Sequence, residues 1–215
     1  MKFQQQWMLR HPGGEWFSAS VPGNIQSDYA KTHDFGDIHY GMNHLKFLEI
    51  EDWEWEYRTE LSFERKPDER VWFVTHGIDY FYDIAVNGEI LHRHEGMFSF
   101  TELDITDYLH GGDTLSVFVH PHPKVPGVSR DRKEAAASCK PAVSYSWDYH
   151  PRVLPSGIWD ETYIEIRTSE TIREAEVQYT LSGDLRHAEV HFAVDCGETC
   201  EIELFDAAGV SVYRG

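Results

Sequence analysis

Between Ser144 and Trp159 the chain gathers side chains suited to holding a polyhydroxyl molecule. The run Ser144-Tyr145-Ser146-Trp147-Asp148-Tyr149-His150-Pro151-Arg152 sets a carboxylate between two aromatic rings and closes on a guanidinium. Ser156-Gly157-Ile158-Trp159 follows. Flat rings cover the apolar C–H face of a pyranose. Carboxylates accept, and Arg or Lys donate, hydrogen bonds with its hydroxyls. Residue type alone leaves a second reading beside this one: a Trp closing the end of a sandwich and an Asp bonding loop amides.

Other reactive side chains form weaker patterns. Cysteines occur at Cys139, Cys196 and Cys200. Cys196 and Cys200 flank Gly197-Glu198-Thr199, which reads as a hairpin turn; the pair suits a disulfide, two metal ligands or two ordinary thiols. His92-Arg93-His94 and His120-Pro121-His122 each place two imidazoles on one side of an extended segment. No further Cys or His pair stands at zinc-site spacing, so surface or hydrogen-bonded histidines are the simpler reading and no metal is expected. The chain has no Gly-rich phosphate loop, no G-x-S-x-G elbow and no HExxH, and no cofactor is implied. Its many carboxylates read as solvated strand faces rather than as a catalytic pair.

Composition narrows the class. The 215 residues include 19 Lys and Arg against 37 Asp and Glu, a net charge of −18. That balance argues against a nucleic acid or polyphosphate partner, which needs clustered cations. A hydrophobic share of 41%, with 14% aromatics, is enough for a sizeable core. No apolar run approaches the ~20 residues of a membrane-spanning helix, so no membrane partner is expected. The opening Met1-Lys2-Phe3-Gln4-Gln5-Gln6-Trp7 lacks an apolar signal core. With an odd cysteine count this favours the cytoplasm, or the periplasm or exterior if a signal peptide has been removed.

The elements that must position the Trp147 segment are strands. Trp53, Trp55, Tyr57, Thr59, Leu61 and Phe63 alternate with polar residues, as a half-buried strand does. Val71 to Val74 is a short apolar run suited to a strand covered on both faces. Asn87-Gly88 between Asp83–Val86 and Glu89–Leu91 is a hairpin signal, because both residues tolerate positive φ. Thr114–His120 and Glu161–Arg167 alternate again. Short helical turns are predicted at Asn24–Ala30 and at Thr106–Leu109 before Gly111-Gly112. Residues 121–157 hold six prolines and little alternation, which marks a long, functional loop. After Thr168 strands are predicted at 174–181, 189–195, 201–205 and 210–213. About four strands fall short of the ~7 of an immunoglobulin-like sandwich. The fold class is therefore all-β: a jelly-roll sandwich over residues 1–168, then part of a second β-sandwich over 169–215.

Ordered blocks carry a family resemblance. Val21-Pro22-Gly23, Tyr40-Gly41-Met42-Asn43, Trp55-Glu56-Tyr57-Arg58, Gly77-Ile78-Asp79 with Val86-Asn87-Gly88, Asp104-Ile105-Thr106 with Leu109, and Ser156-Gly157-Ile158-Trp159 occur in sequence. Together they resemble the amino-terminal, galactose-binding-like domain of glycoside hydrolase family 2, and the tail resembles the start of that family's immunoglobulin-like domain. Trp147-Asp148-Tyr149-His150-Pro151-Arg152 is similar to the W-D-W-G-P-R signature of its β-mannosidases, with Lys140 where that group often has Lys. Tyr149 stands in place of Trp and His150 in place of Gly, and a Gly position often needs positive φ. Trp159-Asp160 lacks the Arg that often follows this Trp.

The resemblance implies a retaining exo-glycosidase acting on a terminal β-linked sugar, most readily mannose. β-Galactosidase, β-glucuronidase and exo-β-glucosaminidase are the neighbouring alternatives, and a stand-alone carbohydrate-binding module or lectin is the alternative class. It implies substrate contacts by Asp148, with Trp147 as a wall and Tyr149, Arg152 and Lys140 beside them. It also implies that the loop reaches a neighbouring (β/α)₈ barrel that carries both catalytic Glu residues. Such a barrel needs ~250 residues, and no part of this chain reads as βα repeats. No catalytic residue is therefore expected in this chain, and alone it is expected to hydrolyse nothing.

Overall fold

A computed structural model describes residues 1–168, 170–197 and 199–215. The strands, in chain order, are β1 (Lys2–Phe3), β2 (Trp7–Arg10), β3 (Phe17–Ala19), β4 (Trp55–Leu61), β5 (Arg70–Thr75), β6 (Ile78–Asp79), β7 (Phe81–Val86), β8 (Glu89–Glu95), β9 (Thr101–Asp104), β10 (Asp113–His120), β11 (Gly157–Ile158), β12 (Thr162–Arg167), β13 (Ile172–Leu181), β14 (Ala188–Cys196), β15 (Glu203–Phe205) and β16 (Ser211–Arg214). Two α-helices, α1 (Ile25–Thr32) and α2 (Phe47–Ile50), and four short 3₁₀ turns complete the described elements. The chain divides into two compact units: residues 1–64 with 71–166, and residues 65–70 with 167–215.

The first unit is a jelly-roll sandwich. One sheet has the order β3-β2-β4-β10-β7-β8 and the other β1-β12-β5-β9. Tyr57 faces Val117 and Thr59 faces Leu115 across the antiparallel β4–β10 pair, so the aromatic face of β4 meets the aliphatic face of β10. Trp55, Tyr57, Ile84, Leu115 and Val117 from one sheet pack with Phe73 and Ile164 from the other and with Ile105 just after β9, all at 2% exposure or less. Burying such a face is what makes the two-residue period a strand signal. Asn87 and Gly88 turn at φ 52° and 84°, as a tight hairpin of this kind requires.

Helix α1 begins where Asn24 caps it, its side-chain oxygen accepting from the Ser27 amide at 2.8 Å. Asp28, buried in its first turn, accepts from the Ser20 amide at 2.7 Å and the Ser20 hydroxyl at 3.0 Å. The segment Asn43–Ile50, which has no clear sequence period, folds as a 3₁₀ turn running into α2 and buries Phe47 and Ile50. In the second unit β13 pairs with β14, and β15 with β16, as separate antiparallel hairpins. Every residue of β13 and of β16 is exposed.

Candidate functional site

The chain leaves β10 at His120 and next enters a strand at Gly157. Buried polar contacts fix the span between. At its far end, the Gly23 amide donates to the Ile158 carbonyl and the Ile25 amide to the Ser156 carbonyl, both at 2.9 Å. The Gln26 amide donates to the Leu154 carbonyl at 2.8 Å and accepts from the Ser156 amide at 3.0 Å. Val21-Pro22-Gly23 and Ser156-Gly157-Ile158 are thus two sides of one junction. Gly157 sits at φ 117°, and a Cβ there would lie 2.2 Å from the Tyr57 hydroxyl. Gly77 is equally confined: its Cβ would meet the Trp159 indole at 2.6 Å. Trp159 donates from Nε1 to the Met97 carbonyl at 2.8 Å.

Two buried charge clusters anchor the loop. Arg152 donates to both oxygens of Glu51, at 3.0 and 2.5 Å, and to Glu134 at 2.5 Å. Lys124 adds a contact to Glu51 at 3.0 Å. Burial opposes the Glu51 charge, but the bonds from Arg152 and Lys124 prevail and hold its carboxyl below the ordinary value. The second cluster pairs Lys140 with Asp79, their side chains only 2% and 4% exposed. Lys140 also donates to the Pro155 carbonyl at 2.6 Å. Burial raises the Asp79 pKa and lowers that of Lys140, against their mutual attraction. Asp79 keeps its Oδ1 buried without a hydrogen-bond partner. Beside this pair lies an open pocket of about 390 Å³ walled by Pro22, Met97 and Trp159.

The loop's tip is a tight turn. The Trp147 amide donates to the His150 carbonyl at 2.9 Å and the His150 amide to the Trp147 carbonyl at 3.1 Å, which sets Asp148 and Tyr149 at the apex. Trp147 is 43% and Tyr149 81% exposed, and the Arg132 guanidinium stacks 4.0 Å over the Trp147 ring. Asp148 is exposed and has no hydrogen bond or ion pair among the described residues. The structure therefore does not use Trp147 as a plug or Asp148 as a bond to loop amides. The positive φ in this turn falls on Ser146, at 101°, and not on His150.

Trp147, Asp148 and Tyr149 are thus brought together at the surface, whereas Arg152 and Lys140 lie at the buried base of the same loop. Sequence reasoning missed Glu51, Asp79 and Glu134, which hold those two cations, and Arg132, which positions Trp147. Asp79 alone carried a signal, as the last residue of the Gly77-Ile78-Asp79 block.

The remaining reactive residues fall elsewhere. His92 and His94 do stand on one side of β8, their rings parallel at 6.0 Å. His120 lies between Glu54, at 2.8 Å, and Asp83, at 3.4 Å. His122 is enclosed, and burial with the charges of Lys140 and Lys124 pushes its pKa to about 3. The sulfurs of Cys196 and Cys200 are 3.1 Å apart. The hairpin turn expected between them includes Glu198, which lies outside the described residues. Among the described residues no group of three or more His, Cys, Asp or Glu could hold a metal ion.

The sequence profile of the glycosyl hydrolase 2 galactose-binding domain-like family matches residues 7–160, and the chain belongs to that family. Its curated relatives include a mannosylglycoprotein endo-beta-mannosidase of Lilium longiflorum, 33% identical over 86% of this chain and 21% of that protein. Beta-mannosidase B of Emericella nidulans is 23% identical over 76% of the chain and 22% of its own length. This chain thus spans about a fifth of the curated relatives it matches. A solved beta-D-mannosidase from Dictyoglomus thermophilum has the same fold, with a TM-score of 0.78 at 20% identity, over 100% of this chain and 28% of that one.

Proposed function

We propose that this chain is the sugar-binding-domain part of a retaining exo-β-mannosidase, and that the turn Trp147–His150 forms one wall of its sugar site. The observation that carries the reading is Asp148: a carboxylate with no internal partner, set between two exposed aromatic rings on a loop fixed by buried ion pairs. A group held ready but unsatisfied is what recognition of sugar hydroxyls requires. The β-mannosidases among the relatives support the choice of sugar. In this reading the substrate is a β-linked manno-oligosaccharide, and the site is completed by a catalytic (β/α)₈ barrel of the same polypeptide. There, two carboxyl groups ~5 Å apart would supply nucleophile and acid/base. The isolated chain then has no hydrolytic activity.

The test is Asp148→Ala in the full-length protein, assayed on an aryl β-mannoside. The expected result is a fall in kcat/KM of at least ~10-fold, and a change below ~2-fold rejects the contact. A panel of aryl β-galactoside, β-glucuronide and β-glucosaminide substrates separates the neighbouring exo-glycosidase readings. An endo-acting enzyme is a second reading, favoured by the lily relative. It predicts cleavage of an internal β-mannosyl bond in a mannosylglycoprotein with little turnover of the aryl mannoside.

A further inference from the structure

A second groove lies within the first unit, built from residues that the Trp147 loop does not use. It has a volume of about 730 Å³ and runs along the outer face of β2 and β4. That volume is in the range of small-molecule sites. Met8 faces Arg58 across the β2–β4 pair, and the segment Gln4–Gln6 closes one side. Trp16, from the turn between β2 and β3, forms the other wall.

The wall is fixed. Arg10 and Arg58 lie 4.3 and 4.8 Å from the Trp16 ring. Both guanidiniums are in turn held by the buried Glu56, Arg10 at 2.8 Å and Arg58 at 2.5 Å, and Ser116 donates to the same carboxylate at 3.0 Å. Trp16 is therefore oriented before any ligand arrives, which removes an ordering cost from binding.

The lining defines the ligand. Its charged lining residues, Arg58 and Glu60, sum to zero charge, and Glu60 has no ion pair among the described residues. An anion would meet a guanidinium already engaged by Glu56 and a carboxylate without a counter-ion, and a cation would meet Arg58. The side-chain amides of Gln4 and Gln6 have no hydrogen-bond partner among the described residues and offer both donors and acceptors. Trp16, Phe3 and Met8 add apolar surface. Neutral donors and acceptors interleaved with apolar patches match an uncharged saccharide, whose hydroxyls and C–H faces alternate in the same way. We propose that this groove binds a neutral oligosaccharide at a site separate from the Trp147 loop. The inference rests on the groove's lining and stands or falls independently of the mannosidase reading.

The probe is a β-1,4-linked mannotriose, with cellotriose in parallel, titrated into the 215-residue chain. Binding is followed by the indole N–H resonance of Trp16 and by calorimetry. The expected result is saturable binding of at least one trisaccharide by ~10 mM. The double variant Gln4→Ala/Gln6→Ala, which breaks no internal bond, should weaken it by at least ~5-fold, as should Trp16→Ala. Asp148→Ala should leave it unchanged, and inorganic phosphate should not compete. No binding of either sugar, binding indifferent to the glutamine variant, loss of binding in Asp148→Ala, or displacement by phosphate would each overturn the proposal.

Discussion

The loop depends on single buried charges whose partners come from distant parts of the chain. The Arg152 side chain is 8% exposed and joins those of Glu51 and Glu134, which are 4% and 2% exposed. Replacing it by Ala leaves Glu134 enclosed without its cation and Glu51 with Lys124 alone, and breaking such a buried pair typically costs ~3–5 kcal/mol. Urea unfolding of Arg152→Ala should show a loss of that order. Acid should do the same to the native protein. Because the folded Glu51 pKa lies below its unfolded value, its contribution is complete above the unfolded carboxylate range and is lost as pH falls through the folded pKa. Stability should therefore fall below about pH 4, and less steeply in Lys124→Ala, which removes one of the bonds that lower that pKa. Asp79 and Lys140 behave differently, since burial shifts both towards their neutral forms. Lys140→Met alone should destabilise strongly, whereas Asp79→Asn/Lys140→Met should recover most of the loss, because a buried ion pair contributes little net stability over neutral groups of similar size. An additive double variant in urea unfolding would reject that account. None of these pairings was legible in the sequence: Glu51 and Arg152 are 101 residues apart, and no period links them.

At the scale of elements, legibility followed burial geometry. Strands β4, β5, β7, β10 and β12 were visible because each presents one continuous apolar face to the sandwich. The short β1, β3, β6 and β11 were not, since two or three residues hold no period. The 121–157 loop was recognisable as special from its prolines and aromatics, but its anchors were not. The family blocks, by contrast, are explained by packing. Val21-Pro22-Gly23 and Ser156–Trp159 hydrogen-bond to each other, and Gly157 is required by both its φ and the Tyr57 hydroxyl. Gly157→Ala should therefore destabilise the sandwich by more than ~2 kcal/mol, through backbone strain and the clash at Tyr57 combined. It should also disturb the loop, because Ser156 and Ile158 are what hold Gly23 and Ile25. A thermal midpoint unchanged from the native protein would contradict this role.

Over the whole molecule, burial is unevenly distributed. In the first unit the strands that carry the loop are covered on at least one face, and β7 and β10 are buried along most of their length. In the second unit β13 is exposed throughout, with Val177, Tyr179 and Leu181 on one side, and Val190 of β14 lies opposite Tyr179. A two-stranded hairpin without a covered face has only marginal stability of its own. Cross-strand bonds alone should then protect its amides weakly, whereas exchange from β4, β7 and β10 should require global unfolding. Hydrogen exchange of this chain should show amides in β13–β16 exchanging at least ~100-fold faster than those of β4 and β10. The Ile25 and Gly23 amides, which bond to the end of the loop, should group with the slow set. Slow exchange throughout β13 and β14 would show that their hydrogen bonds open only with the sandwich, and that exposure is a poor guide to local stability in this chain. The predicted contrast has a functional side. The Trp147 turn would keep its geometry while the second unit opens and closes, because its anchors, Glu51, Asp79 and Glu134, all belong to the first unit.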